Sequence, residues 1–597
     1  MNAPDNIPAQ AQREGHWDLR DLFADDDVWG AELVALEADL SRCETFRGRF
    51  TEPHVLLGFL EWDNDFTARY LRLSRYAFFR RSIGNDLAAA SYLEAQVKAF
   101  WSRWASASDF VESEIRRVDR PTLELAFRSE PRLLGWERYL EQMRRGSPRS
   151  LCEPEESLLA QLTVPLELTR RTTQLLIAEL DIPKVVMSDG TLLEVNLDRM
   201  GILYRHPERA VREQARARAF ETLKKHRRTF AQTLHTSVSR LVTLARVRGF
   251  DSSLAAALEP EGLSEVTFHN VIAAFERNLG VWQRCFEARK SLLELSELRP
   301  FDLLAGFDDD LELIPYERAV EWICAALEPM GAGYVEVLRR GLTTDGWVRW
   351  SADGRTINED MAYATYGANP RVQVYYDGSL RSVSLLAHEM GHAMHDWYLG
   401  RAQLFHCAHS SRLVAESIAN FHQAMLRSHL LSTFTDERVQ RAVIGEELDF
   451  YQNYYFAKPV TSKLEYAVHQ RVWNELPVTA DWLDEVTDQV YRQGYGQAVQ
   501  HDSHVALNWV GLNSLENNFY NFQYLPGFAV GATLAARLRT NELTSASITA
   551  LLEVGTSVSL EEGLSLTNID LGDPLLLERG FIALGDLAER LEGLASA

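Results

Sequence analysis

The chain has few cysteines, no long apolar run and no basic tract, and each shortage excludes a class of protein. Its five cysteines, Cys43, Cys152, Cys285, Cys324 and Cys407, are odd in number, far apart and never arranged as CxxC, so a disulfide framework is not expected. They read as reduced, mostly buried thiols of a cytoplasmic protein. No segment approaches the roughly 18 uninterrupted apolar residues of a membrane span. The opening stretch MNAPDNIPAQAQREGHWDLRDLF is polar and proline-bearing, without the apolar core of a leader. A membrane partner is therefore not expected. No run of lysine and arginine is long enough to follow a phosphate backbone, and 62 basic against 85 acidic residues give a net charge of −23. That balance argues against a nucleic-acid partner. Tandem repeats and low-complexity linkers are lacking as well.

What is present is helical periodicity over most of 597 residues, a length that calls for two or more lobes. Apolar residues recur at three and four positions between charges in WGAELVALEADLSRCETF and in YLEAQVKAFWSRWASASDFVESEIRRV, which predicts a mainly α fold. Two short strand signals interrupt it. KVVMSDGTLLEV carries Asp189-Gly190 between β-formers, as a tight hairpin requires. It marks the expected division between an amino-terminal helical lobe, 1–185, and the remainder, 186–597. RVQVYYDGS predicts a strand with Val372, Val374 and Tyr376 on one face and Arg371, Gln373 and Tyr375 on the other. The stretch 297–315, with two prolines and an acidic cluster, reads as a loop between helices.

Immediately after the second strand comes SVSLLAHEMGHAMHDWYLG, 382–400. Ser379 or Asp377 can cap a helix that ends near Gly400. On it His388 and His392 lie four apart, one turn along a single face, where both can reach one ion. Glu389 falls beside that ion rather than on it, the position of a general base in HExxH zinc peptidases. The bland alternative is a buried helix with hydrogen-bonded histidines. His395, three residues on, points past the ion and reads as packing. A catalytic zinc needs a third protein ligand and an open position. Glu416 offers one: it stands among Leu413, Val414, Ile418, Ala419 and Phe421 on a helix expected over 410–431, and a lone carboxylate there needs a cation.

With these residues assembled, the sequence resembles the oligoendopeptidase F and thimet oligopeptidase group of zinc metallopeptidases. The likeness rests on NPRVQVYYDGSLRSVSLLAHEMGHAMHDWYL and VAESIANF. It extends to WDLRDLF, ARVRGFDSSLAAAL, RCFEARKSLLELSELRPFDLLA, KLEYAVHQ and FYNFQYLPG, scattered over most of the chain. It implies a two-lobed helical ellipsoid with a deep central channel, and a few short strands near the active-site helix. It further implies one Zn2+ held by His388, His392 and Glu416, Glu389 as general base, and short unstructured oligopeptides as substrates. The strand 371–376 would then offer backbone hydrogen bonds to an extended peptide. Tyr520 and Tyr524 are the implied donors to the oxyanion, with His504 as the candidate for the family's histidine.

The sequence departs from that pattern twice. Gln423 stands where the family usually has a glutamate, seven residues after the ligand glutamate. GLNSLEN occupies the place of its carboxy-terminal histidine, leaving His504 sixteen residues before Tyr520. Beside a zinc oligopeptidase, the sequence therefore admits a divergent member with a specialised substrate or a non-peptide metal-dependent reaction. It also admits a metal-stabilised binding protein, against which Glu389 argues, since a structural zinc has no use for a base.

Overall fold

A computed structural model of the protein describes residues 15–83, 86–145, 151, 153–197, 200–306, 311–352 and 360–596. It is mainly α, as the periodicity predicts, with five short strands among the described residues. The chain forms two compact units. One gathers residues 1–148, 313–429 and 534–569, the other 149–312, 430–533 and 570–597. Long helices dominate: α1 (Pro53–Ile83), α2 (Arg209–Val247), α3 (Leu380–Ala402), α4 (Arg412–Thr433), α5 (Lys458–Trp473), α6 (Tyr524–Arg539) and α7 (Ser545–Val554).

The predicted hairpin is present as β1 (Val185–Val186) paired antiparallel to β2 (Leu192–Leu193). Gly190 takes φ +86° at its turn, a conformation open to glycine at little cost. The hairpin lies inside the second unit. In the stretch 297–315, a 3-10 turn over Pro300–Asp302 buries Asp302 completely, where Arg209 (2.8 Å) and Arg212 (3.0 Å) neutralise it. Residues 307–310, part of the acidic cluster, lie outside the described residues, as do residues 1–14. The four described cysteines are buried and free; Cys152 lies outside. Among the described residues no helix is long and apolar enough to cross a membrane.

In the first unit a three-stranded sheet has the order β3 (Val348–Ser351), β5 (Arg371–Tyr375), β4 (Met361–Tyr363). β5 runs parallel to β3 and antiparallel to β4. The polar face of this strand is buried: Arg371 is fully buried, with its guanidinium on Asp21 and on the carbonyl oxygens of Asn369 (2.8 Å) and Pro370 (3.2 Å). Gln373, also buried, accepts from Arg349 at 2.7 Å. The expectation that this strand offers backbone bonds to a peptide is corrected, because a neighbouring strand pairs with β5 on each side.

The amino-terminal motif WDLRDLF explains the buried polar face. Trp17 Nε1 donates to the Val372 carbonyl at 2.8 Å, and Gly15 exchanges backbone bonds with Trp350 of β3. Asp21 takes Arg371 and also accepts the Asn369 amide. The segment thus covers the sheet and one position of its β3 edge. The outer side of β4 carries no strand among the described residues.

Candidate metal centre

The helix that carries the histidines begins where local chemistry dictates. Gly378 turns the chain with φ +81°, Asp377 Oδ1 accepts the Ser379 amide at 2.9 Å, and Ser379 Oγ accepts the Ser382 amide at 3.2 Å. Ser379 is therefore the N-cap, with Asp377 closing the turn before it. The turn is pinned from outside: Tyr376 Oη donates to the Ile314 carbonyl, and the Ile314 amide donates to the Gly378 carbonyl, each at 2.8 Å. α3 runs to Ala402, two residues past the expected stop at Gly400.

Within α3, His388 and His392 project together, with ring centroids 4.9 Å apart and planes at 84°. Glu416 reaches them from α4, its Oε2 3.7 Å from His388 Nε2, and one ligand atom from each of the three residues lies within 4.8 Å of the others. Ser384 meets Gln423 while Gly391, further along α3, meets Ala419, earlier on α4. That order is the one of antiparallel neighbours. Gly391 is what lets the two helices come so close: a Cβ there would sit 2.6 Å from Ala419 Cα and 3.0 Å from the Ile418 oxygen. Sequence reasoning did not single out this glycine, since spacing along one helix carries no information about which neighbour it touches.

Gln423 occupies the place expected for an orienting residue, and it fixes the tautomer of His388. Its Nε2 donates to Ser384 Oγ at 3.0 Å and to the Ser384 carbonyl at 3.3 Å, so its Oε1 is the end that faces His388 Nδ1 at 3.0 Å. An amide oxygen only accepts, so by this network His388 carries its proton on Nδ1 and presents a bare Nε2. Burial pushes His388 down to about 4, and the bond to Gln423 opposes this only partly. Burial, followed by the neighbouring histidines His388, His395 and His422, holds His392 well below its ordinary value. Near neutral pH both imidazoles are therefore neutral, and the bare His388 Nε2 faces a Glu416 carboxylate oxygen with His392 beside them. Such a convergence of acceptors becomes favourable around a cation. Two imidazole nitrogens and one carboxylate with a position left open are the donor set of a catalytic zinc, and these residues fit it.

Glu389, 7 % exposed, follows His388 directly and lies outside the three-residue cluster. His395 is also outside it, 2 % exposed and pushed by burial to about 4, in keeping with packing. A further buried histidine, His422, meets the Tyr334 hydroxyl at 2.6 Å.

The other anticipated residues belong to the second unit. Tyr520 and Tyr524 are brought together, their hydroxyls 2.6 Å apart. The Tyr524 ring stacks on Tyr454 (5.6 Å, 17°), with Lys458 Nζ 4.5 Å from its centre. Just before Tyr520, Asn518 and Phe519 both take left-handed backbone, φ 52° and 60°, an unfavourable conformation for a bulky residue. The Phe519 amide donates to Glu465 Oε1 at 2.7 Å; Glu465 is fully buried, and burial pushes its carboxyl up to about 8. His504 is engaged elsewhere, 3.2 Å from Glu221 and stacked on Phe220 at 5.8 Å. In GLNSLEN, Glu516 is a structural pin that accepts from Thr173 (3.1 Å) and Ser237 (3.0 Å).

Comparison with known proteins follows the same lines. The model of peptidase family M3 matches residues 202–579. The chain is 24% identical over 533 residues to oligopeptidase PepF of Bacillus subtilis (strain 168), covering 89% of this chain and 79% of that one. A crystal structure from Chlamydophila abortus, described as a peptidase, superposes with a TM-score of 0.86 at 22% identity, over 99% of each chain. That of oligoendopeptidase-F from Enterococcus faecium gives 0.74 at 22%, over 96% of this chain and 99% of that one. At such identities the structural likeness speaks for the fold, whereas the family match spans well over half of the sequence. The chain belongs to peptidase family M3 and is a peptide hydrolase.

Proposed function

We propose that the protein is a zinc-dependent endopeptidase that hydrolyses short, unstructured oligopeptides, with one zinc ion per chain held by His388, His392 and Glu416. The observation that carries this reading is the bare His388 Nε2 aimed at the Glu416 carboxylate, 3.7 Å away, with His392 beside both. A zinc ion bound there supplies a Lewis acid that acidifies water and polarises the scissile carbonyl.

The remaining steps belong to side chains. Glu389 takes the proton of the attacking water and passes it to the departing amine. Gln423 keeps the His388 ring turned and its proton on Nδ1. His504 is given no step, since its Nε2 already lies against Glu221. An extended peptide pairs with the outer side of β4, where backbone bonds give affinity with little sequence preference. The free cysteines support a reducing, cytoplasmic setting.

The test is metal analysis together with cleavage of a quenched fluorescent peptide library. Stoichiometric zinc and cleavage are expected. Glu389→Gln should retain the metal and lose about 10²–10⁴-fold in turnover. A metal-loaded wild type that cleaves no library peptide would overturn the reading.

A further inference from the structure

In the second unit, where α2 packs against the end of α5, an open cavity of about 410 Å3 has no part in the mechanism above. Its volume lies in the range of small-molecule sites. Ser239, Val242, Thr243 and Arg246 line it from successive turns of α2, and Val472 and Glu475 line it from the end of α5. Val242 and Val472 are buried and give it an apolar wall. The Ser239 and Thr243 hydroxyls make no hydrogen bond among the described residues. The two charges stand side by side, with Arg246 Nη1 donating to Glu475 Oε1 at 3.0 Å. Arg246 is held by a second neighbour as well: its Nη2 lies on the Trp473 carbonyl, and its guanidinium carbon is 5.1 Å from the centre of the Trp473 ring.

Glu475 sits against its own backbone preference. It takes φ +58° just past the end of α5, where the Glu475 amide closes on the Val472 carbonyl and the Leu476 amide on that of Arg471, each at 2.9 Å. Glycine is usual at that position because any other side chain costs stability there. The ion pair does little to offset the cost, since its side chains are 41 % and 79 % exposed. A glutamate kept there for so weak a bond is suited to a ligand that needs its carboxylate.

We propose that this cavity binds a free α-amino acid with an apolar side chain, its carboxylate on Arg246, its ammonium on Glu475 and its side chain against Val242 and Val472. A guanidinium offers N–H donors in a fork that matches a carboxylate. The Glu475 carboxylate accepts from an ammonium, and the two hydroxyls can donate or accept as the ligand requires. Spacing selects a single residue over a longer peptide. In an α-amino acid the ammonium nitrogen and the carboxylate carbon lie about 2.5 Å apart, and each added residue carries the carboxylate up to about 3.8 Å further. Arg246 and Glu475 are close enough for the short separation. Because Trp473 holds Arg246, Glu475 alone has to turn aside to admit the ligand.

This inference does not rest on the zinc reading, whose ligands belong to the first unit. The test is a ligand-observed NMR titration of the full-length protein with leucine, leucinamide, N-acetylleucine and leucyl-leucine. Wild type should bind leucine, and the other three, which lack one charge or hold the two apart, at least about tenfold more weakly. Arg246→Gln should weaken leucine by at least about tenfold. Ser239→Phe, which fills the cavity and leaves both charges in place, should abolish binding. Thermal unfolding midpoints close to that of wild type show that the two variants are folded. No leucine binding by wild type, binding unchanged in Ser239→Phe, or leucyl-leucine bound as tightly as leucine would each overturn the proposal. Binding that persists in Arg246→Gln and is lost in Glu416→Gln would belong to the metal centre and overturn it as well.

Discussion

Gly391 lies between the two histidines proposed as metal ligands, where α3 comes close against the backbone of α4. Its neighbours there, Ala419 Cα and the Ile418 oxygen, are main-chain atoms and cannot swing aside. Gly391→Ala is therefore expected to push the helices apart, at about 1–3 kcal/mol of stability. Because Glu416 moves with α4, zinc affinity should fall with it; thermal unfolding and a metal titration check the two effects. Gln423→Leu should lower metal affinity about 10–100-fold by removing the acceptor that orients His388, while Gln423→Glu should hold metal at least as tightly as wild type. At this scale much of the candidate site was legible. His388, His392 and Glu389 are fixed by covalent spacing on one helix, and Glu416 stood out as a carboxylate among apolar neighbours. What could not be read is what touches them: Gly391, and the Ser384 that turns the Gln423 amide, depend on contacts between helices.

At the scale of elements, the sheet beside α3 depends on the chain's amino-terminal motif. Arg371 is fully buried and spreads its donors over Asp21 and several carbonyl oxygens. Replacing it with methionine strands those acceptors and should cost about 3–5 kcal/mol, seen as a lower urea midpoint with unchanged slope. The helices were legible because a 3.6-residue period survives whatever a helix packs against. The strand 371–375 was located correctly, but what covers it was not legible. Nothing local to an arginine and a glutamine opposite valines marks their face as interior; the arrival of Trp17 and Asp21, some 350 residues earlier in the chain, makes it so.

For the molecule as a whole, pH acts on stability through groups such as Glu465 in the second unit. Its folded carboxyl is raised from 4.5 to about 8 by burial. Below about pH 4.5 folded and unfolded chains both hold the proton; from there to about 8 only the folded chain does. Folding therefore loses stability as pH rises through that window, by up to about 1.4 kcal/mol per pH unit for one proton. Urea unfolding at several pH values should show a shallower decline for Glu465→Gln, in which nothing ionises. The interleaving of the two units was not legible, since it joins stretches hundreds of residues apart that no local pattern marks.

That interleaving also bears on how the protein is made. α7 packs against α3, and Gly555 just beyond it approaches so near that a Cβ would lie 2.3 Å from the Cys407 oxygen and 2.6 Å from Leu399. The ribosome delivers the last of the proposed metal ligands, Glu416, about 130 residues before it delivers this cover. At roughly 5–20 residues per second, the nascent catalytic helix waits several seconds, or longer, with an apolar flank uncovered. A message truncated before codon 545 would encode every proposed zinc ligand and still leave that flank open, making the fragment a client for chaperones rather than a smaller enzyme.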